Sequence, residues 1–415
     1  MEIKNFIHTI NTYDVLIISS FIWFFGKFIR YVFPPLFELL QETYMVSTTA
    51  LGWTFSIFLF AYALVQFPSG ILSDKIGSFW VITVGILLSS IGSLVLIFDL
   101  MFEAFVLMVA ALGIGTGVHK TSAVQLLANV YPANKGRTLG IFDTFGTFGG
   151  VVAPAAVIIV AMVPGPIPGW RLLFFSVGIL GLIFTFTFIK RAPKKAQKES
   201  FISNIDAEMN NRYIPNLNSI KSSFVEYFNV FKKREFIIFV TAAILFSFTY
   251  YGTVSFLPLY LTQEASISSA YASLFYSVLF IASISQVAAG ELSDRYGTLS
   301  VMSGALGFST LSFIFFMAST NGGPLFIGIS VLCIGLGVHS FRPVRGAFLM
   351  EFLPDNISAG SLGIVRTLLM GSGAISPGII GTLSELVSFR FSFWLLTISI
   401  GIATLFSLLL IICTD

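Results

Sequence analysis

From Val81 to Phe98, and again from Phe393 to Ile412, the chain runs without a single charged residue. At 1.5 Å per helical residue, stretches of this length match the ~30 Å hydrocarbon core of a bilayer. Inside that core every backbone N–H and C=O must find a partner within the protein, so continuous apolar runs of this kind are helices. Composition carries the same constraint along all 415 residues: 56% are hydrophobic, 10% are charged and 46 are phenylalanine. Soluble domains carry about 25% charged residues, which excludes an ordinary soluble fold. The fold class is an all-α membrane protein.

Breaking hydropathy at charges and Gly/Pro clusters predicts twelve spans. The first six are 14–37, 45–70, 79–98, 103–131, 137–163 and 170–190; the second six are 236–262, 268–291, 299–319, 324–353, 360–385 and 391–413. The long polar stretch 191–235 separates them and holds nine Lys/Arg. With Lys4, Lys75, Lys135, Arg137, Lys190 and Arg295 it places fifteen of the 23 basic residues on one face of the membrane, against Arg171 and Arg390 on the other. This asymmetry predicts a multi-pass protein of the cytoplasmic membrane with both termini in the cytoplasm. The organisation expected is an N-terminal six-helix bundle at 1–190, a cytoplasmic central loop at 191–235 and a C-terminal six-helix bundle at 236–415. The first residues, MEIKNFIHTINTYD, do not read as a cleaved signal. Cys333 and Cys413 fall in spans, and no disulfide is expected.

The two halves are copies. GILSDKIG (Gly70–Gly77) matches GELSDRYG (Gly290–Gly297) at an offset of 220 residues, and GIGTGVHK (Gly113–Lys120) matches CIGLGVHS (Cys333–Ser340) at the same offset. Gln66 pairs with Gln286 in the same register; near the fifth and eleventh spans Leu139–Ile141 matches Leu362–Ile364, and Pro154 matches Pro377. Parallel six-span repeats are one recognised transporter plan.

These residues carry a family resemblance. GILSDKIG and GELSDRYG, each between the second and third spans of its half, resemble the loop signature of the major facilitator superfamily, Gly-x-Leu-Ala-Asp-Arg-x-Gly followed by two basic residues. Ser78 and Phe79 stand at the trailing basic positions, and the fourth span has Val109 and Ala111 where many proton-coupled members carry an arginine. The resemblance spans the whole chain and implies two six-helix bundles rocking about a mid-membrane site by alternating access. It also implies that Gly70, Asp74, Lys75 and Gly77, with Gly290, Asp294, Arg295 and Gly297, latch the cytoplasmic side shut. Physically, Gly70 and Gly77 would permit a tight helix-to-helix turn. Asp74 would accept from the N-terminal amides of a neighbouring helix.

Six basic residues lie inside predicted spans: Lys27 and Arg30 in the first, Lys120 in the fourth, Arg342 and Arg345 in the tenth, and Arg366 in the eleventh. Only Asp143, in the fifth, is clearly an intramembrane acid. Intramembrane charges face a protein interior or a wet cavity and mark function by default. Lys27 and Arg30 share a helix face, as do His339 and Arg342. By resemblance the first, fourth, seventh and tenth spans line the central cavity, and the seventh carries Tyr250 and Tyr251. The expected cavity is cationic with a phenolic wall, a receptor for a carboxylate, phosphate or similar oxyanion. Alternatives stand beside this reading. Lys27 can snorkel to an interface, Lys120 can pair with Asp143, and Arg345 and Arg366 can serve as gate or packing charges.

The glycines before His119 and His339 allow close helix packing, and repeat symmetry puts the two rings on opposite sides of one cavity. There they would donate to an oxyanion or carry a coupling proton; the alternative is a bond to a backbone carbonyl between helices. Pro34–Pro35, Pro258 and Pro343 are candidate rocking points, and GTFGGVVAP and GSGAISP read as packing seams. No cofactor, metal or nucleic-acid partner is implied, and the chain reads as a monomer that is not an enzyme. The function expected is secondary active transport of a small anionic solute, by symport with a proton or exchange with a counter-anion. The alternatives are export of drugs or other hydrophobic compounds, and a ligand-binding membrane sensor.

Overall fold

The computed structural model describes residues 13–192, 232–352 and 358–414. Most of the expected central loop, and Lys4, lie outside the described residues. Among the described residues twelve helices are long and apolar enough to cross a membrane. In the first half these are α1 (Asp14–Tyr44), α2 (Thr48–Ile76), α3 (Ser78–Val95), α4 (Phe102–Val130), α5 (Lys135–Ala161) and α6 (Gly169–Arg191). In the second they are α7 (Arg234–Gln263), α8 (Ser269–Tyr296), α9 (Thr298–Ser319), α10 (Pro324–Phe352), α11 (Ser358–Leu386) and α12 (Phe389–Thr414). A 3₁₀ turn at Ala282–Ile284 interrupts α8. Cys333 and Cys413 are free.

Several helices outrun the predicted spans. α1 passes through Pro34 and Pro35 to Tyr44, because its polar end is held by packing rather than by propensity. Phe37 meets the Phe256 ring at 5.4 Å, and Gln41 Nε2 donates to Thr48 Oγ1 at 2.9 Å. The signature segments are also mostly helix. Gly70 lies inside α2 and does not make the turn expected of it, and Gly290 likewise lies inside α8. The turns are made by Gly77 and Gly297 alone, at φ +88° and +85°, where an L side chain would be strained. Charged residues look like loop in a hydropathy scan, but they end a helix just as readily where it leaves the apolar layer.

The same small-residue packing holds both halves. A Cβ on Gly115 of α4 would fall 2.3 Å from Ser89 Oγ of α3, and one on Gly337 of α10 would fall 2.4 Å from Ser309 Oγ of α9. Gly113 approaches the Phe58 carbonyl of α2 and Gly335 the Leu279 carbonyl of α8 in the same way. The glycines before the histidines therefore do what their spacing predicts: they let helices touch backbone to backbone.

Two compact units result, and their border does not follow the six-plus-six division. One unit takes the chain up to Phe33 and resumes at Ile57; the other takes Pro34–Ser56 together with the second six helices. Within that second unit the α1–α2 hairpin is sewn to α7, α8 and α11. Gly378 N donates to Ser56 Oγ at 2.8 Å, Thr49 N to Glu385 Oε2 at 3.1 Å, and Ser269 Oγ to Glu38 Oε2 at 2.7 Å. A Cβ on Gly52 would lie 2.4 Å from the Pro377 carbonyl. Pro34–Pro35, read from sequence as a rocking point, sits where the chain passes from one unit to the other.

Candidate functional site

In the first unit the cations gather on one aromatic plate. Trp23, Lys27 and Arg30 are four and three residues apart on α1 and so share a face. Lys27 Nζ lies 4.9 Å from the Trp23 ring centroid and 5.5 Å from that of Tyr31. Lys120, from α4, approaches the same indole at 4.8 Å and Phe142 at 5.1 Å. Its ammonium also pairs with the Asp143 carboxylate of α5. Two ammonium groups on one indole use the negative ring face twice, with Asp143 offsetting one of the charges. The plate is held rigid: Trp23 stacks on Phe142 at 5.7 Å and 14°, and a Cβ on Gly146 would fall 2.1 Å from the indole.

Arg30 sits one turn further along. Its Cζ is 3.7 Å from the Tyr62 ring centroid and 6.0 Å from that of Phe58, and the residue is 3% exposed. A planar guanidinium loses little by stacking on a ring and still presents its N–H fork edge-on.

His119 faces into the helix packing behind this plate. It is buried between Trp23 and Phe142, at 6.2 and 6.0 Å, and its Nε2 lies 3.2 Å from the Ser19 carbonyl of α1. A carbonyl only accepts, so Nε2 carries the proton in that bond. This is the backbone-bonding alternative of the sequence reading and not the cavity-facing ligand. The glycine seam that lets α4 approach also closes over the ring.

In the second unit the cations are arginines. Arg342 Cζ lies 5.4 Å from the Tyr250 ring of α7. Tyr250 meets Tyr251 edge-on at 5.3 Å and stacks on Phe246 at 6.2 Å and 13°. Gly373 of α11 backs Tyr251 as Gly146 backs Trp23, with a Cβ at 2.3 Å from the ring. Tyr251 Oη also reaches Met370 Sδ at 3.6 Å. His339 is buried between Tyr250 and Phe280, at 6.0 and 6.1 Å. Arg345 stands over Phe341 at 5.8 Å and feels the charges of Arg342 and Arg366. Arg366 is exposed on α11.

The signature residues bond locally. Asp74 Oδ1 accepts from the Gln125 side chain at 2.6 Å, not from helix N-terminal amides as expected, and Ser78 Oγ donates to Gln125 Oε1 at 3.3 Å. Lys75 is exposed at the end of α2. In the second half Arg295 pairs with Glu291 four residues earlier, while Asp294 is exposed.

Sequence reasoning missed Trp23, Tyr62 and Ser19. Trp23 was within reach, because a tryptophan four residues before an intramembrane lysine lies under it on a helix. Tyr62 and Ser19 carry no such signal, since each meets its partner across helices.

The family model described as Major Facilitator Superfamily matches residues 16–341 and 261–415. A probable sulfoacetate transporter of Cupriavidus necator is 26% identical over 386 residues, covering 89% of this chain and 87% of its own. A riboflavin transporter of Clostridioides difficile is 22% identical over 370 residues, covering 80% and 79%. The crystal structure of a bacterial homologue of the human lysosomal transporter Spinster superposes with a TM-score of 0.76 at 16% identity, covering 96% of this chain and 97% of that one.

Proposed function

We propose that this chain, which belongs to the Major Facilitator Superfamily and is a multi-pass membrane transporter, moves a small organic or inorganic anion by alternating access. Lys27, Arg30 and Lys120 would bind from the first half and Arg342, Tyr250 and Tyr251 from the second, with His119 and His339 holding helices behind them. The observation that carries this reading is Arg30, 3% exposed inside a membrane-spanning helix, stacked on Tyr62 and on the same helix face as Lys27. A charged side chain inside a membrane-spanning helix marks function by default. The sulfoacetate relative supports the class, because its named substrate is an anion. Asp143, already paired with Lys120, is the group to release or take up a coupling charge. The setting proposed is the cell membrane with the termini inside.

The aromatic plates support a second reading. Trp23, Tyr62, Tyr250 and Tyr251 present ring faces that a flat, larger solute would stack upon, as the riboflavin relative makes concrete.

Thermal stabilisation of the purified protein across carboxylates, sulfonates, phosphate, riboflavin and neutral sugars separates the two. A shift with one anion class, abolished by Arg30→Ala and by Arg342→Ala, is the result expected. Stabilisation by riboflavin or neutral compounds alone, indifferent to both substitutions, would establish the second reading instead.

A further inference from the structure

The first half holds a cavity that the substrate reading does not use. It lies between the beginnings of α1 and α5 and has a volume of ≈ 350 Å³, within the range of small-molecule sites. Its floor is apolar: Ile17, Phe21, Ile141 and Phe145, with the Phe21 and Phe145 rings 4.9 Å apart. Its rim is polar, formed by Tyr13, Asn134 and Arg137. Neither Lys27, Arg30 nor Lys120 lines it.

Three observations define what fits. Arg137 is the only formally charged lining residue, is exposed, and has no ion pair among the described residues. Asn134, just before α5, makes no side-chain cap bond, so the positive end of that helix, two residues before Arg137, keeps its charge preference for an anion. Ser20, 3% exposed, lines the wall, and its hydroxyl has no hydrogen-bond partner. Asp14 does not line the cavity, and its carboxylate accepts from Val15 N at 2.8 Å. Burial pushes the Tyr131 phenol up to about 12, so the ring that stacks on Tyr13 at 5.6 Å brings no negative charge. An anionic head with an apolar tail satisfies these features.

We propose that this cavity is a lipid site, taking one acyl chain of an anionic phospholipid along Ile17, Phe21, Ile141 and Phe145, with its phosphate on Arg137 and the first turn of α5. Basic pockets between membrane helices recognise phospholipid headgroups by this chemistry. The site is independent of which solute the protein carries.

The test is native mass spectrometry of the full chain in neutral detergent with equimolar phosphatidylglycerol and phosphatidylcholine. The result expected is one retained phosphatidylglycerol, preferred about tenfold, equivalent to ~1.4 kcal/mol. Arg137→Gln removes the preference. Ile141→Trp, or Ile17→Phe if that variant does not fold, fills the cavity and removes the retained lipid. Equal retention of both lipids, unchanged by Arg137→Gln, overturns the proposal in favour of non-selective annular lipid. Displacement of the phosphatidylglycerol by an equal concentration of inorganic phosphate overturns it in favour of a free-anion site. Retention only after removal of residues 2–12 overturns it in favour of a cavity filled by the chain's own beginning.

Discussion

His119 and His339 occupy the same register of the two repeats, and each is buried against aromatic rings behind a glycine seam. One residue later the halves part company. Lys120 reaches the Trp23 plate and Asp143, whereas its counterpart Ser340 bonds the Leu336 carbonyl of its own helix at 2.7 Å. In the second half the charge stands two residues further on, at Arg342 over Tyr250. The acid differs too: Asp143 has Arg366 as its repeat counterpart. What was duplicated is the packing, glycine against serine and glycine against carbonyl, because any side chain there collides with backbone. Charges are not part of that packing and can move along a helix face without disturbing the seam. The two halves thus share a scaffold and differ in chemistry, lysine with aspartate on one side and arginine over tyrosine on the other.

The shared scaffold is the part whose disruption costs most. Gly113→Val and Gly335→Val each drive a side chain into a neighbouring carbonyl, and overpacking of this kind lowers the melting temperature by about 5–10 °C. Gly304→Val, where a side chain meets nothing within 4 Å, should shift it little. A loss confined to one half would break the equivalence of the seams. Next in size are the charges. Arg30→Ala and Arg342→Ala should each weaken anion-dependent stabilisation about 10- to 100-fold, the range for losing a charged hydrogen bond. Arg30→Lys should recover only part, because an ammonium lacks the fork and the stacking plane. Unequal losses would assign the anion to one half.

Smaller still is the pair found in the first half alone. A double-mutant cycle of Lys120→Ala with Asp143→Asn, read by thermal unfolding, should give a coupling of ~1 kcal/mol or less, because Asp143 is 60% exposed. Transport in Asp143→Asn gives the sharper reading: lost dependence on the coupling ion with substrate stabilisation intact would mark Asp143 as a coupling group. The smallest effect belongs to Arg295 and Glu291, an exposed i,i+4 pair. Glu291→Gln should alter stability by under ~0.5 kcal/mol, and a larger change would mean that the signature of the second half does more than end a helix.

The sequence reading located the spans, the repeat and the charged residues, and missed where most of the side chains point. Hydropathy placed α9 at 299–319 against an observed Thr298–Ser319, yet stopped α1 at 37 because Pro34–Pro35 and the polar residues beyond them resemble an end. The helix persists since Phe37 and Gln41 are held by other helices. The histidines were legible as a pair but not as core residues. Facing a cavity and facing a neighbouring helix are equally open to a residue in an apolar run, and the Ser19 carbonyl that decides for His119 lies 100 residues away. Trp23 was legible by its spacing to Lys27; Tyr62 under Arg30 was not.

By itself the sequence determined the membrane class, the two six-span repeats, the family and the surplus of positive charge within the spans. Each of these is written in local composition or in self-similarity, and the bilayer enforces them span by span. Only the tertiary structure decided that Pro34–Ser56 packs with the second six helices, that both histidines are sealed between rings, and that two lysines share one indole. Those outcomes depend on which surfaces meet when helices distant in sequence come within a glycine's reach of one another.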